Sequence, residues 1–570
     1  MNKFNLISAL LLSSASCLWA QSAPAFDWVK PVFGATPTSP LQAAITDLET
    51  DPFGNTYITG EFVGQLNFGS GVSLSGNGSD PTLFLAKYGY DGTPLWAKKG
   101  SPASPADANT FHHASKIATD GAGGVYWCGD YVSNSVDFGN NVIVTRSCAN
   151  ACQEGFLLKF DPSGNLVFQK NIRAKLGEQL HLAGVAADSL GRHYLTGSYT
   201  GTELWLQGGG NIGGLTTQGF FLAAYYPNGN SNWIGFPADN TLVPTTQAIE
   251  VSPDGERIAM SGHHGAGMIN FGNGAIVNSA ATENRFVLVY TAAGQPSYIH
   301  SVNSDPFVEI FDIAVGPAYN VFAACTFSGT LKDKSGNTLH TSSSERTSAL
   351  LLMSPDGSTG VGNIIPHTTA ALPANTLTLG PPNSLFMGGL SGEQLSVPNL
   401  GSLNNNGCLD AVIVGNGGGL PSPIFGNVGG SGCERIDNIY FGSMMAPDGE
   451  GNMIVGGVFE NGGSFGSENY NGNGLWLAKM YTGVVATDEP GLFGGISIRP
   501  NPSGGLVQIA FPDDTFGQCR IYAATGKMMM DAAIQSNLSL QVENWPSGLY
   551  LVECQDRQGK IFREKLMVQH

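Results

Sequence analysis

The sequence predicts an all-β chain: a seven-bladed β-propeller followed by a small C-terminal β-sandwich. Three observations predict it. A turn–strand–glycine pattern recurs about seven times, spaced by roughly 63 to 69 residues, a period expected of arrays and propellers. The composition suits short strands joined by tight turns: among 570 residues there are 78 Gly, 10% aromatics and only 12% charged residues, a charged share about half that usual in soluble proteins. The last stretch leaves the repeat and alternates apolar with polar residues between close turns, the pattern of a small sandwich. The net charge is −18. An acidic chain repels phosphate backbones, so nucleic acid is not an expected partner; solubility outside a cell accounts for the charge.

The elements follow in chain order. Lys3 gives the N-terminus a positive start, Ile7 to Leu12 form a short apolar run, and small residues follow. That run falls short of the ~20 apolar residues a spanning helix needs. Residues 1–20 therefore read as a signal peptide cut after Ala20. A lipoprotein with Cys17 lipidated is the alternative, but Ser14-Ala15-Ser16 lacks the large aliphatic residue expected before it. No later segment reaches the ~20 continuous apolar residues that a spanning helix needs.

Residues 21–481 carry the repeat. Its clearest copies run from Asp51 to Phe62, from Asp120 to Tyr131 and from Asp188 to Tyr199. Each is a turn, an apolar strand, a small residue and a Gly. Weaker copies centre on Ser261-Gly262, Cys325-Thr326, Gly388-Gly389 and Gly456-Gly457. A Phe-Gly element comes next, at Asn67-Phe68-Gly69, Asp137-Phe138-Gly139, Asn270-Phe271-Gly272 and Ser464-Phe465-Gly466. A second apolar strand follows, such as Phe84 to Tyr88 or Phe156 to Phe160, then a Gly turn and an outer strand such as Pro94 to Lys98. With the strand before the first turn, this makes about four strands per unit, the content of a propeller blade. The position before the usual Gly is small in every copy: Thr59, Cys128, Thr196, Ser261, Cys325, Gly388 and Gly456. Small residues there are expected where blades converge on the axis, so Cys128 and Cys325 read as buried packing residues and not as nucleophiles.

These residues resemble the SBBP-type β-propeller repeats of secreted bacterial proteins, over roughly residues 26 to 486. The fifth copy departs from the pattern, with Leu331-Lys332-Asp333 in place of the Phe-Gly element. Ring closure is expected from the N-terminus. The seventh copy reaches Trp476 to Lys479 without an outer strand, while Phe26 to Lys30 stands alone before the first copy. Trp28 and Lys30 match Trp96 and Lys98 of the first outer strand. Phe26 to Lys30 is therefore expected to pair beside Trp476 to Lys479, which would remove an open edge.

Residues 482–495 read as a linker and 496–570 as the separate sandwich. Pro500-Asn501-Pro502, Gly526-Lys527, Gly548 with Tyr550, and Lys565 near the end occur in that order at the extreme C-terminus. This segment resembles the type A sorting domain of the type IX (Por) secretion system. The resemblance implies Sec export, then outer-membrane translocation by the type IX machinery, and removal of the domain with surface attachment or release. It also implies a Bacteroidetes-type source.

Three cysteine pairs are candidates for disulfides. Cys148 and Cys152 fit a loop-closing bridge better than a zinc site, because no second ligand pair lies near. Cys408 and Cys433 flank the outer part of the sixth copy. Cys519 and Cys554 pair if their strands are neighbours; connectivity stays open at this level. The doublets His112-His113 and His263-His264 are poor chelates, since adjacent residues on a strand point to opposite faces. The glycine runs lack the Lys-Ser/Thr of a phosphate loop. The Asp-bearing turns lack calcium-loop spacing and read as structural. No catalytic residue, metal or cofactor is expected. The expected role is a secreted or surface propeller that binds or scaffolds, with a surface glycan or protein as ligand. The alternative is a polysaccharide-acting enzyme, which needs two carboxylates, or a carboxylate with His or Tyr, at one channel mouth.

Overall fold

Turn chemistry sets the strand pattern. The strand Ala43–Thr50 ends at Asp51, whose Oδ1 accepts the backbone N–H groups of Phe53 (2.9 Å) and Asn55 (3.0 Å). Gly54 follows at φ 77°, a conformation only glycine adopts without strain. The chain then reverses into Thr56–Phe62. Asp120 caps the turn to Gly124 in the same way, and Asp188 the turn to Arg192. The Asp turns are structural, and the third strand reinforces three of them. Lys87 reaches Asp51 at 3.7 Å, Lys159 reaches Asp120 at 2.8 Å and Lys479 reaches Asp448 at 2.8 Å.

The computed structural model describes residues 26–34, 43–76, 81–102, 112–147, 152–174, 179–207, 210–213, 215, 218–237, 245–316, 318–369, 371–380, 384–392, 395–397, 401–403, 410–416, 433–435, 443–448, 452–460, 462–465, 468–480, 497–499, 505–510, 516–523, 528–533, 538–556 and 561–568. All their regular elements are β-strands. The chain divides into two compact units, residues 1–485 and 486–570.

In the first unit, sheets follow one another along the chain. The first is Ala43–Thr50, Thr56–Phe62, Thr82–Tyr88 and Pro94–Pro102. The second is His112–Thr119, Val125–Tyr131, Glu154–Phe160 and Leu166–Ala174. The third to fifth repeat this order, opening with Leu180–Ala187, Thr245–Val251 and Val308–Val315. The sixth has three described strands, Ala371–Gly380, Ser384–Ser391 and Asp410–Asn416. In the seventh, Cys433–Arg435 and Met445–Pro447 both pair with Met453–Glu460, which pairs with Gly474–Met480. The next strand is Phe26–Phe33 from the N-terminus, antiparallel to Gly474–Met480, with Trp28 opposite Lys479 and Lys30 opposite Leu477.

Apolar clusters fill the spaces between successive sheets. Tyr57, Leu85, Trp127 and Phe156 share the cluster between the first and second. Val32, Leu48, Val455 and Trp476 share the one between the seventh and first. The opening strands pack in cyclic order: Ala43–Thr50 on His112–Thr119, on through the later openings, and Met445–Pro447 back on Ala43–Thr50.

The structure refines two sequence expectations. Between the second and third strands of the unit, the Phe-Gly element forms a hairpin of its own, Gln65–Gly69 with Val72–Ser75 in the first copy. Several hairpins at this place extend the preceding sheet, while Gly267–Asn270 with Ile276–Ser279 and Gly463–Phe465 with Glu468–Tyr470 form two-stranded sheets of their own. Val136 pairs with Pro102, Ile172 with Leu206 and Phe33 with Asn67. Phe68, Phe138 and Phe465 turn inward against Phe84, Phe156 and Trp476, with ring centroids 5.8, 4.9 and 4.9 Å apart. The small residues, in turn, do not line the cavity between the opening strands. They sit one strand further out, on the second strand of each sheet, where the next sheet's opening strand crosses. A Cβ on Gly456 would meet Leu48 at 3.1 Å, and one on Gly388 would meet Met445 at 2.9 Å.

The second unit is a sandwich. Ser497–Arg499, Leu506–Ala510 and Leu538–Gln541 form one sheet; Met528–Ala533, Phe516–Ala523, Gly548–Asp556 and Ile561–Val568 form the other. Val507, Ile509, Ile521, Val552 and Leu566 fill the space between them.

Candidate site in the axial cavity

The opening strands carry a shared irregularity. In six of them the ladder to the second strand slips at one place: between Ile45 and Asp47, His113 and Lys116, Leu182 and Gly184, Thr246 and Ile249, Ile310 and Asp312, and Leu372 and Thr376. A bulge re-aims the side chains beside it. The Gly of the repeat makes room for it. A Cβ on Gly60 would lie 2.0 Å from the Ala44 carbonyl oxygen, and one on Gly262 would lie 2.0 Å from that of Thr245.

The bulges bring charge into the space between the opening strands. A cavity of about 340 Å³ is lined by the opening strands of successive sheets, and Asp47, Glu49, Lys116, Glu250 and Asp312 face it. Asp47 Oδ2 accepts the Ile117 N–H at 2.9 Å and Oδ1 accepts the Ser443 N–H at 2.7 Å, which ties the second and seventh sheets to the first. Asp312 Oδ2 accepts the Leu377 N–H at 2.8 Å, tying the fifth to the sixth. Lys116 Nζ donates to the Thr46 carbonyl at 3.3 Å. One step outward, Asp130 Oδ2 accepts the Leu182 N–H at 3.1 Å and meets His181 Nδ1 at 2.6 Å.

Removal from water governs these acids. Burial pushes the Asp47 carboxyl up to about 6, against the pull of Lys116 and the backbone N–H groups. Burial pushes Asp312 up to about 7. Glu49 and Glu250 are raised by burial first and then by neighbouring carboxylates, Glu250 acting on Glu49 and Asp312 on Glu250. Burial lowers the Lys116 ammonium, although Asp47 and Asp312 oppose this. Each of these four carboxyls therefore keeps its proton to a higher pH than an exposed carboxyl does. Among the described residues no group of three or more His, Cys, Asp or Glu is placed to hold a metal ion.

The residues singled out in the sequence lie elsewhere. Phe26, Trp28 and Lys30 run beside Trp476 and Lys479 in the closing ladder. Cys152 is in a disulfide; Cys148 and Cys408 lie outside the described residues. Cys433 stands opposite Glu460 in the seventh sheet. Cys519 and Cys554 are register partners on neighbouring strands. Pro500, Asn501, Pro502, Gly526 and Lys527 lie outside the described residues, as do residues 1–25 and the linker 482–495. Gly548 opens the strand Gly548–Asp556, Tyr550 donates its hydroxyl to the Pro546 carbonyl at 2.8 Å, and Lys565 stands opposite Leu551. Of the His doublets, His263 meets Thr245 Oγ1 and His264 meets the Gly265 carbonyl, so they diverge.

Sequence reasoning missed the axial acids. A signal was present: Asp47, Glu49, Glu250 and Asp312 all fall on strands that open a sheet, each beside an apolar residue.

Comparison with known proteins adds one firm result. Residues 497–569 match the family described as secretion system C-terminal sorting domain. No curated protein matches the chain. Among solved structures, similarity is found to a fungal alcohol oxidase of the AA5 family in complex with copper, with 10% identity, 96% of this chain and 100% of that one covered, and a TM-score of 0.32. A protein of unknown function from Dyadobacter fermentans gives 10% identity, 80% and 99% coverage and a TM-score of 0.32. A dihydro-haem d1 dehydrogenase gives 10%, 90%, 77% and 0.30. These overlaps are too slight to carry chemistry across. The C-terminal unit is thus a type IX sorting domain, which marks the chain for handling by that machinery and export to the cell surface or extracellular space.

Proposed function

We propose that residues 21–481, after signal-peptide removal, form a closed seven-bladed β-propeller of the SBBP type that works outside the cell as a non-catalytic binding or scaffolding protein. The observation that carries the extracellular role is the sorting domain at 497–569. The pairing of Phe26–Phe33 with Gly474–Met480 and the cyclic packing of the opening strands support a closed ring. The use of Asp47 and Asp312 to hold backbone N–H groups between sheets supports binding over turnover, since carboxylates so engaged serve structure. The ligand class proposed is a surface glycan or a surface protein.

A polysaccharide-acting enzyme is the second reading. Glu49 and Glu250 favour it, because both face the cavity and both keep their protons to higher pH than an ordinary carboxyl, as a general acid requires. The purified full chain should retain a specific glycan or protein from a glycan array and a secretome pull-down without turning it over. Polysaccharide cleavage that disappears in Glu49→Gln or Glu250→Gln would replace the first reading with the second.

A further inference from the structure

The sorting domain carries a cysteine pair in its core. Cys519 lies on Phe516–Ala523 and Cys554 on Gly548–Asp556, directly opposite each other in the antiparallel ladder. Their Sγ atoms are 2.9 Å apart, and both are fully buried thiols, not joined in a disulfide. Ile521, Val552 and Leu566 belong to the same cluster. Neighbouring strands hold Cα atoms at separations that a disulfide accepts.

We propose that Cys519 and Cys554 form a disulfide once the chain leaves the cytoplasm, clamping the two central strands of the sorting domain. The oxidant is the disulfide of a thiol–disulfide oxidoreductase in the periplasm. One cysteine thiolate attacks that disulfide and forms a mixed disulfide; the other then displaces the enzyme's thiolate. The chain loses two protons and two electrons, and the oxidoreductase gains a dithiol. Because the folded domain covers both sulfurs, exchange takes place before the second strand docks, during folding after export. The bond then links strands far apart in sequence, and a closed loop of that kind restricts the unfolded chain.

The test uses the full chain exported to the periplasm of a host without type IX machinery, so that the domain is retained. The protein is acid-quenched, denatured, alkylated without reduction and mapped by mass spectrometry. The Cys519 and Cys554 peptides should be joined and two hydrogens lighter than their sum, whereas the chain made in the cytoplasm should give both as alkylated thiols. The C-terminal melting transition of the exported chain should fall on the order of 10 °C on reduction. The Cys519→Val, Cys554→Val double variant should show no such redox dependence. Recovery of both cysteines alkylated from the exported, folded chain would overturn the proposal, as would an equal redox response in the double variant.

Discussion

At the scale of single residues, Asp47 holds three sheets at once: its own, the second through the Ile117 N–H and the seventh through the Ser443 N–H. Such a carboxyl stabilises by what it accepts, yet its charge is disfavoured by burial. The sign of the pH dependence follows. With the folded-state value raised to about 6 for Asp47 and about 7 for Asp312, the folded chain binds these protons more tightly than the unfolded chain does. Their contribution is full below the unfolded carboxyl range, near pH 4, and is lost as pH rises through about 6 and about 7. A tenfold change in proton affinity corresponds to ~1.4 kcal/mol, so each group changes stability by a few kcal/mol across that window. Urea midpoints of wild type and Asp312→Asn should lie close together near pH 4, where both side chains are neutral, and separate as pH rises to 8, because only the wild type loses this contribution. Parallel curves would show that Asp312 does not titrate in this way.

At the scale of elements, the outer strand of one sheet is fastened to the third-strand turn of the next. Trp96 Nε1 donates to the Pro162 carbonyl at 3.2 Å, and Trp233 Nε1 to that of Ala292 at 2.9 Å. The N-terminal strand does the same: Trp28 Nε1 donates to the Tyr90 carbonyl at 3.1 Å, and a Cβ on Gly92 would meet Trp28 and Lys30 at under 3 Å. Phe26–Phe33 is thus built into the seventh and first sheets as Pro94–Pro102 is into the first and second. Removing residues 21–33 would expose the backbone edge of Gly474–Met480 and uncover the Val32 pocket, and burial of one such side chain is worth about 1.5–3 kcal/mol. The truncated chain should melt at a clearly lower temperature, with hydrogen exchange accelerated first in residues 474–480. Unchanged exchange in that strand would mean that the N-terminal strand does not hold it.

At the scale of the whole molecule, the two units have separate tasks. The first carries the axial cavity and the second the sorting signal. Deleting residues 497–570 should leave the first unit folded, because each unit fills its own core. In a host with type IX machinery the truncated chain should accumulate in the periplasm while the full chain reaches the surface, as fractionation and surface proteolysis would read. Normal surface levels of the truncated chain would separate export from the C-terminal unit.

The sequence by itself determined the strand content, the repeat, the turns at Asp51, Asp120 and Asp188, and the C-terminal sorting signal. These are local features: a capping carboxylate and a glycine at positive φ act within four or five residues, and a family motif is read along one strand of text. Only the tertiary structure decided where the repeat's residues point. A bulge exists only against a partner strand, so the slip that brings Asp47, Lys116 and Asp312 to the axis leaves no mark in the period itself. The Gly after most of the small residues was legible as a repeat mark, but its cause, the neighbouring carbonyl 2.0 Å from where a Cβ on Gly60 would sit, required the fold. The first two Phe-Gly hairpins likewise bond to the preceding sheet, and Cys519 meets Cys554, through pairings between segments far apart in the chain. Register between distant strands is set by packing and closure of the whole unit, which a local pattern does not encode.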